Sequence, residues 1–168
     1  MVTPTPSNSL IQQLCQELSR HPPFAQMQAA HVQSFVTQSQ QHYFAPGEAV
    51  LAPNDGPVSA LHYVRSGAIT GSLHDSPHSN SFLNSFLYEA GDMFAVSAAL
   101  AQRPASATYK ASADSFVLTL PEAAMQSLAR QSDAFADFLN RRIQHFLSLS
   151  RKALQDEYAS RVLAEQSF

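Results

Sequence analysis

From Ser132 to the end of the chain no proline or glycine interrupts the sequence, and Phe135, Phe138, Leu139, Ile143, Phe146, Leu147, Leu154, Tyr158 and Val162 recur there at steps of three, four and seven or eight. That spacing lays one apolar stripe along a helix. With Ser132 as its N-cap, the predicted helix runs about 50 Å at 1.5 Å per residue, more than a small β domain can cover. The surplus face calls for a partner, either a second copy of the helix or further domains. The alternative is that Ser148, Ser150 and the Arg151-Lys152 pair mark where packing ends and a solvated tail begins.

The preceding residues are patterned differently. Over 41–120, Pro46-Gly47-Glu48, Asn54-Asp55-Gly56-Pro57 and Ala90-Gly91-Asp92 punctuate runs of strand length. The runs 42–45 and 49–51 flank the first of these turns, 61–69 reads as a hairpin in which Gly67 supplies a positive φ, and 116–120 reads as a last strand running into a helix opened by Pro121. The polar stretch 72–81 reads as a mobile hairpin loop. Upstream, 9–40 predicts two helices broken at His21-Pro22-Pro23, with Leu10, Ile11, Leu14 and Leu18 on one and Phe24, Met27, Val32, Phe35 and Val36 following at helical spacing. Residues 1–8 read as a disordered tail. The expectation is one α+β, mainly β domain over 9–168, with N-terminal helices (9–40), a β-roll (41–120) and C-terminal helices (121–168).

Composition fits one folded domain and removes some partners. The 168 residues are 45% hydrophobic, too apolar for a disordered chain. Ten Lys plus Arg against thirteen Asp plus Glu give a net charge of −3, no footprint for nucleic acid. The first nine residues lack a basic segment followed by an apolar run, and nothing approaches the ~20 apolar residues of a membrane span, so a cytoplasmic location with no membrane contact is expected. Cys15, the single cysteine, has no internal partner for a disulfide and falls on the expected packed face of the first helix.

The most specific stretch is 91–111. Gly91, Asp92, Phe94, Ala99, Leu100, Pro104, Ala107, Thr108 and Ala111 match the frame of the phosphate-binding cassette of cyclic-nucleotide-binding domains: Gly-Glu-x-Phe-Gly-Glu, a short helix ending Ala-Leu, then Pro-Arg-x-Ala-Thr and a further alanine. Residues 61–69 resemble the same superfamily's Leu-Tyr-x-Val-x-x-Gly-x-Val segment, and the resemblance extends over roughly 10–165. It implies a double-stranded β-helix, or jelly-roll, barrel with N-terminal helices and a long C-terminal helix, and a regulatory rather than catalytic role.

In that frame the family's glycine is Ala95, its ribose-binding glutamate is Val96 and its phosphate-binding arginine is Ala105. A valine leaves a ribose hydroxyl unpaired at about 1–3 kcal/mol, and alanine offers no fork of charge-assisted bonds to a phosphate. Backbone N–H groups from Ser97 to Leu100 remain as an anion cradle. Arg103 is either a substitute cation in a shifted register or an ordinary surface arginine. The resemblance thus designates Phe94, Ala95, Val96, Ser97, Ala98, Arg103, Ala105, Ser106, Ala107 and Thr108 as the ligand-binding residues of a degenerate cassette, with a small nucleotide or anion as ligand.

Enzyme motifs are missing. There is no phosphate-binding P-loop, no Gly-x-Ser-x-Gly elbow and no His-Glu-x-x-His zinc helix. A cupin-like metalloenzyme would also be a small β-barrel, but His42 and His62 stand alone and His74 with His78 falls in the polar loop, so neither a metal nor another cofactor is expected. The cassette together with Asn140-Arg141-Arg142-Ile143 and residues 150–155 resembles one bacterial group of signal-transduction proteins more closely. Its members join a domain of this type to a pair of CBS domains and a nucleotidyltransferase domain. Three readings follow: a sensor domain of such a larger protein, a ligand-free homodimerisation module, and, last, a cupin-like metal-binding protein.

Overall fold

A computed structural model of the protein describes residues 6–73 and 85–165. All of the expected 72–81 loop except Ser72 and Leu73, with His74 and His78, lies outside the described residues, as do residues 1–5 and the side chains of Phe146, Ser150, Leu154, Tyr158 and Val162. Helix α1 (Pro6–Leu18), a 3-10 turn (Phe24–Gln26) and α2 (Ala29–Gln38) lead into β1 (Gln40–Phe44), β2 (Ala49–Leu51), β3 (Ala60–Ser66), β4 (Ala68–Leu73), β5 (Ser85–Glu89) and β6 (Met93–Phe94). The short α3 (Val96–Ala101), β7 (Ala107–Ala111), β8 (Ser115–Pro121), α4 (Glu122–Gln131) and α5 (Asp133–Glu165) complete the chain. The expected disordered tail over 1–8 is corrected at its inner end, because residues 6–8 are the first turn of α1. Pro121 is the N-cap of α4, with extended ψ, and not its first helical residue.

The described strands form two four-stranded antiparallel sheets, ordered β1-β8-β3-β6 and β2-β7-β4-β5. Of successive strands, only β4 and β5 are neighbours in one sheet; every other connection passes from one sheet to the other. The hairpin expected over 61–69 is therefore a corner: β3 pairs with β8 and β6, β4 with β7 and β5, and the chain changes sheets at Gly67. Gly67 has φ +92°, and a Cβ there would lie 2.3 Å from the Asp114 carbonyl oxygen and 2.4 Å from Ser115 Oγ. The same Ser115 hydroxyl accepts the Ala68 N–H at 3.1 Å, so the corner has no room for a side chain.

Two cores follow from strand alternation. Along β3, Leu61 and Tyr63 face the helices and Val64 faces the second sheet; along β8, Leu118 and Leu120 face the helices and Val117 the second sheet. The helix-side core joins these to Leu18, Phe24, Val32, Phe35, Met125, Leu128, Phe135 and Leu139, with Cys15 partly buried against it. Edge-to-face rings tie it together: Phe24 to Phe35 at 4.7 Å, Phe24 to Tyr63 at 5.4 Å and Phe35 to Phe135 at 6.3 Å between centroids. Helix α5 opens as expected, its Phe135 N–H donating to Ser132 Oγ at 3.3 Å. Phe135 and Leu139 are buried, whereas Leu147 is 54% exposed, so the packed part of the stripe lies near the start of the helix.

His62, on the inter-sheet side of β3, is 8% exposed, stacks at 5.1 Å on Phe94 and has no partner for Nδ1. Burial pushes its pKa down from 6.5 to about 4, against a backbone contact at Ala60 that favours the cation. Between those values the unfolded chain binds the extra proton and the native one does not.

Two outcomes are expected. Gly67→Ala lowers the unfolding free energy by roughly 2–4 kcal/mol in denaturant titration, combining a left-handed strain with a backbone clash; a loss within ~0.5 kcal/mol would contradict the corner geometry. Wild-type stability falls as pH drops from 6.5 to about 4, and His62→Phe removes up to about 3 kcal/mol of that fall. Parallel pH curves for the two proteins would show that His62 is not buried as a neutral ring.

Candidate functional site

The stretch between Gly91 and Ala111 is shaped by its backbone. Gly91 N–H donates to the Val64 carbonyl and Val64 N–H to the Asp92 carbonyl, both at 2.9 Å, which fixes the entry to β6 beside β3. Ala95, at the family's glycine position, caps α3 in the left-handed region with φ +54° and ψ +28°. An alanine held there costs about 1 kcal/mol relative to glycine, so the surrounding structure imposes the turn. Gln102 closes α3 in the same conformation, φ +53°, with its N–H donating to the Ala98 carbonyl, and its side-chain amide donates to Glu122 of α4. The chain then returns through Pro104, which forms an isolated bridge with Pro57, into β7.

The designated side chains do not converge on one point. Phe94, Ala95, Ala98, Ala105 and Ala107 belong to the inter-sheet core. Val96 is buried in the helix-side core instead, so Val96 and Ala105, the positions that answer to the family's glutamate and arginine, face different interiors. Ala105 is 3% exposed. Ser97 is half-buried and Ser106 exposed. Thr108 is buried, its hydroxyl without a partner among the described residues. Arg103 is exposed; its backbone bonds Ala98 and Val58, and its guanidinium makes no hydrogen bond among the described residues.

Three residues that the sequence reading did not designate as ligand-binding, Tyr109, Tyr88 and Arg142, complete the site. Tyr109 projects inward between Ala107 and Ala111, its ring 4.9 Å from Phe94 and 5.9 Å from Tyr88. Its cross-strand partner is Gly71, where a Cβ would come within 2.9 Å of the Tyr109 ring and 3.4 Å of Tyr88. The absence of a Cβ at Gly71 leaves room for the Tyr109 ring. His62, Phe94, Tyr109 and Tyr88 thus form a continuous row of rings where the strands meet the cassette. Strand alternation through Ala107-Tyr109-Ala111 carried the signal for Tyr109.

The third residue is Arg142 of α5, whose Nη2 donates to the Met93 carbonyl of β6 at 2.7 Å. Burial raises the pKa of both Tyr88 and Tyr109, and the nearby Arg142 cation pulls each back. A guanidinium from the long helix is thus bonded to the backbone at the entry to the cassette. Among the described residues no group of three His, Cys, Asp or Glu side chains is placed to hold a metal ion, and no helix is long and apolar enough to cross a membrane.

Comparison with known proteins agrees with this geometry. No curated protein sequence matches the chain significantly. Solved structures do, among them the sensor domain of the transcriptional regulator DNR from Pseudomonas aeruginosa (TM-score 0.70, 17% identity, 86% of this chain and 95% of that one). Another is the regulatory domain of Toxoplasma gondii PKA with cAMP (TM-score 0.70, 16% identity, 82% of this chain and 51% of that one). A third is the regulatory subunit of a cAMP-independent protein kinase A from Trypanosoma brucei, as a mutant bound to cAMP in its A site (TM-score 0.68, 15% identity, 82% and 48%). The chain thus spans about half the length of the two kinase-regulatory structures, and at these identities the likeness is one of fold. The sequence itself matches the cyclic nucleotide-binding domain over residues 41–132, the segment that holds both sheets, the left-handed turn at Ala95 and the row of rings. With that match over more than half of its length, the chain belongs to the cyclic nucleotide-binding domain family.

Proposed function

We propose that the chain is the sensor domain of a larger signal-transduction protein, a jelly-roll whose degenerate cassette no longer captures cyclic nucleotides and whose state is passed on through α5. The observation that carries this reading is the bond from Arg142 to the Met93 carbonyl, which ties the long helix to the strand entering the cassette. Gln102 and Glu122 tie the other end of α3 to α4. A groove of about 320 Å³ lined by Leu100, Met125, Gln126, Ala129, Arg130 and Leu139 lies where these helices meet and gives them room to shift. Displacement of β6 or α3 therefore moves α5, and α5 biases whatever is attached to it.

The cassette residues, Phe94 to Ala98, Arg103 and Ala105 to Thr108, keep the frame without the chemistry. A cyclic phosphate seated there would lose its hydration and meet no guanidinium at Ala105, while Tyr88, Tyr109 and Phe94 fill the adjoining interior. The Trypanosoma subunit, described as cAMP-independent, supports regulation on this fold without the nucleotide. Exposed Leu147 on a helix of about 50 Å supports homodimerisation through α5. The attached domains are the CBS pair and nucleotidyltransferase that the sequence resemblance implies.

Calorimetric titration with cyclic AMP, cyclic GMP and ATP is expected to give no isotherm at micromolar concentration. A clear micromolar isotherm would mean that Arg142 or Arg103 replaces the missing guanidinium, and the degenerate reading would fall.

A further inference from the structure

The side of β3 away from the inter-sheet core carries a second cavity, about 320 Å³, lined by Glu17, Leu18, Arg20, His21, Tyr63 and Arg65. Its volume is that of a small-molecule site. Arg65 Nε and Nη2 donate to the two Glu17 carboxylate oxygens at 3.0 and 3.3 Å, and Nη1 donates to Gln41 Oε1 at 2.6 Å. That fork neutralises Glu17 and fixes Arg65 as one wall. Arg20 makes no hydrogen bond or ion pair from its guanidinium among the described residues and is exposed at the rim. Among the lining side chains Glu17 and Arg65 cancel and Arg20 remains, with the Asp92 carboxylate close enough to Tyr63 to help raise its pKa, after burial and Glu17. His21 and the Tyr63 ring line the remainder, both able to donate.

We propose that this cavity binds a small oxyanion, a phosphate or carboxylate group of a low-molecular-weight metabolite, between Arg20, His21 and the free N–H groups of Arg65. The site is separate from the cassette but adjoins its first residue: a Cβ on Gly91 would lie 2.6 Å from His21 Nδ1, so the His21 ring rests directly on the Gly91 backbone. Gly91 and Asp92 are in turn bonded to Val64 of β3. An anion drawing His21 and Arg20 together would press on the entry to β6, and through Met93 on Arg142. The degenerate cassette would then read an anion held outside it, whether or not anything occupies the cassette itself.

The test is a chemical-shift titration of the chain with inorganic phosphate and, separately, acetate, against sodium chloride at matched ionic strength. Saturable millimolar shifts at His21, Arg65 and Gly91 are expected with at least one of the two, and the stronger anion assigns the group. Arg20→Gln, an exposed change, is expected to weaken the response about tenfold, the loss of one charge-assisted contact, while Arg141→Gln on α5 leaves it intact. Shifts no larger than with chloride, or saturation that survives Arg20→Gln, would overturn the proposal. Because cyclic AMP is read at Phe94 and Tyr109 in the same spectra, failure here and failure of the cassette reading are separately visible.

Discussion

A sheet buried on both faces governs this structure. In β3 and β8, Leu61, Tyr63, Leu118 and Leu120 meet the helices while Val64 and Val117 meet the second sheet, so one pair of strands is shared by two cores. At about 1.5–3 kcal/mol for each fully buried large apolar side chain, Leu61, Tyr63, Val64, Val117, Leu118 and Leu120 help hold the layers together. Register is correspondingly strict. A one-residue slip would exchange the two faces and place Thr119 and His62 against the helices.

The cassette inherits its form from that sheet. β6 adds to the edge of β3, and the chain must then leave the first sheet, turn through Ala95 and cross to β7 of the second. A left-handed alanine at the turn is tolerated because the strand before it and the strand after it are both fixed. Here Ala105 is buried, and aromatic rings pack the inner side of the second sheet.

Much of the architecture was legible in the sequence because it rests on local constraints. Gly67 marks a position closed to side chains, Ser132 caps the helix it precedes, and Phe135 and Leu139 begin a stripe that the helix-side core receives. The left-handed turn at Ala95 was not legible, because an alanine gives no local sign of a positive φ. Sheet membership was not legible: a glycine corner between two sheets and the turn of a hairpin have the same local pattern, and only the pairing of β3 with β8 separates them. Arg142 was hidden for a related reason. A cation on the margin of an apolar stripe reads as solvated until the fold brings a backbone carbonyl to it. Tyr109 lay within sight by strand alternation, but its neighbour Tyr88 comes from a strand beyond the one that pairs with it.

The claim at the centre is that rings occupy the interior beside the cassette. The most direct measurement is the nuclear Overhauser and chemical-shift pattern of Gly71, whose Cα hydrogens lie under the Tyr109 ring. Strongly upfield Gly71 Hα resonances with contacts to Tyr109 and Tyr88, unchanged by a large excess of cyclic AMP, are the predicted result. Unshifted resonances without those contacts, or rings that swing away when the nucleotide is added, would contradict it.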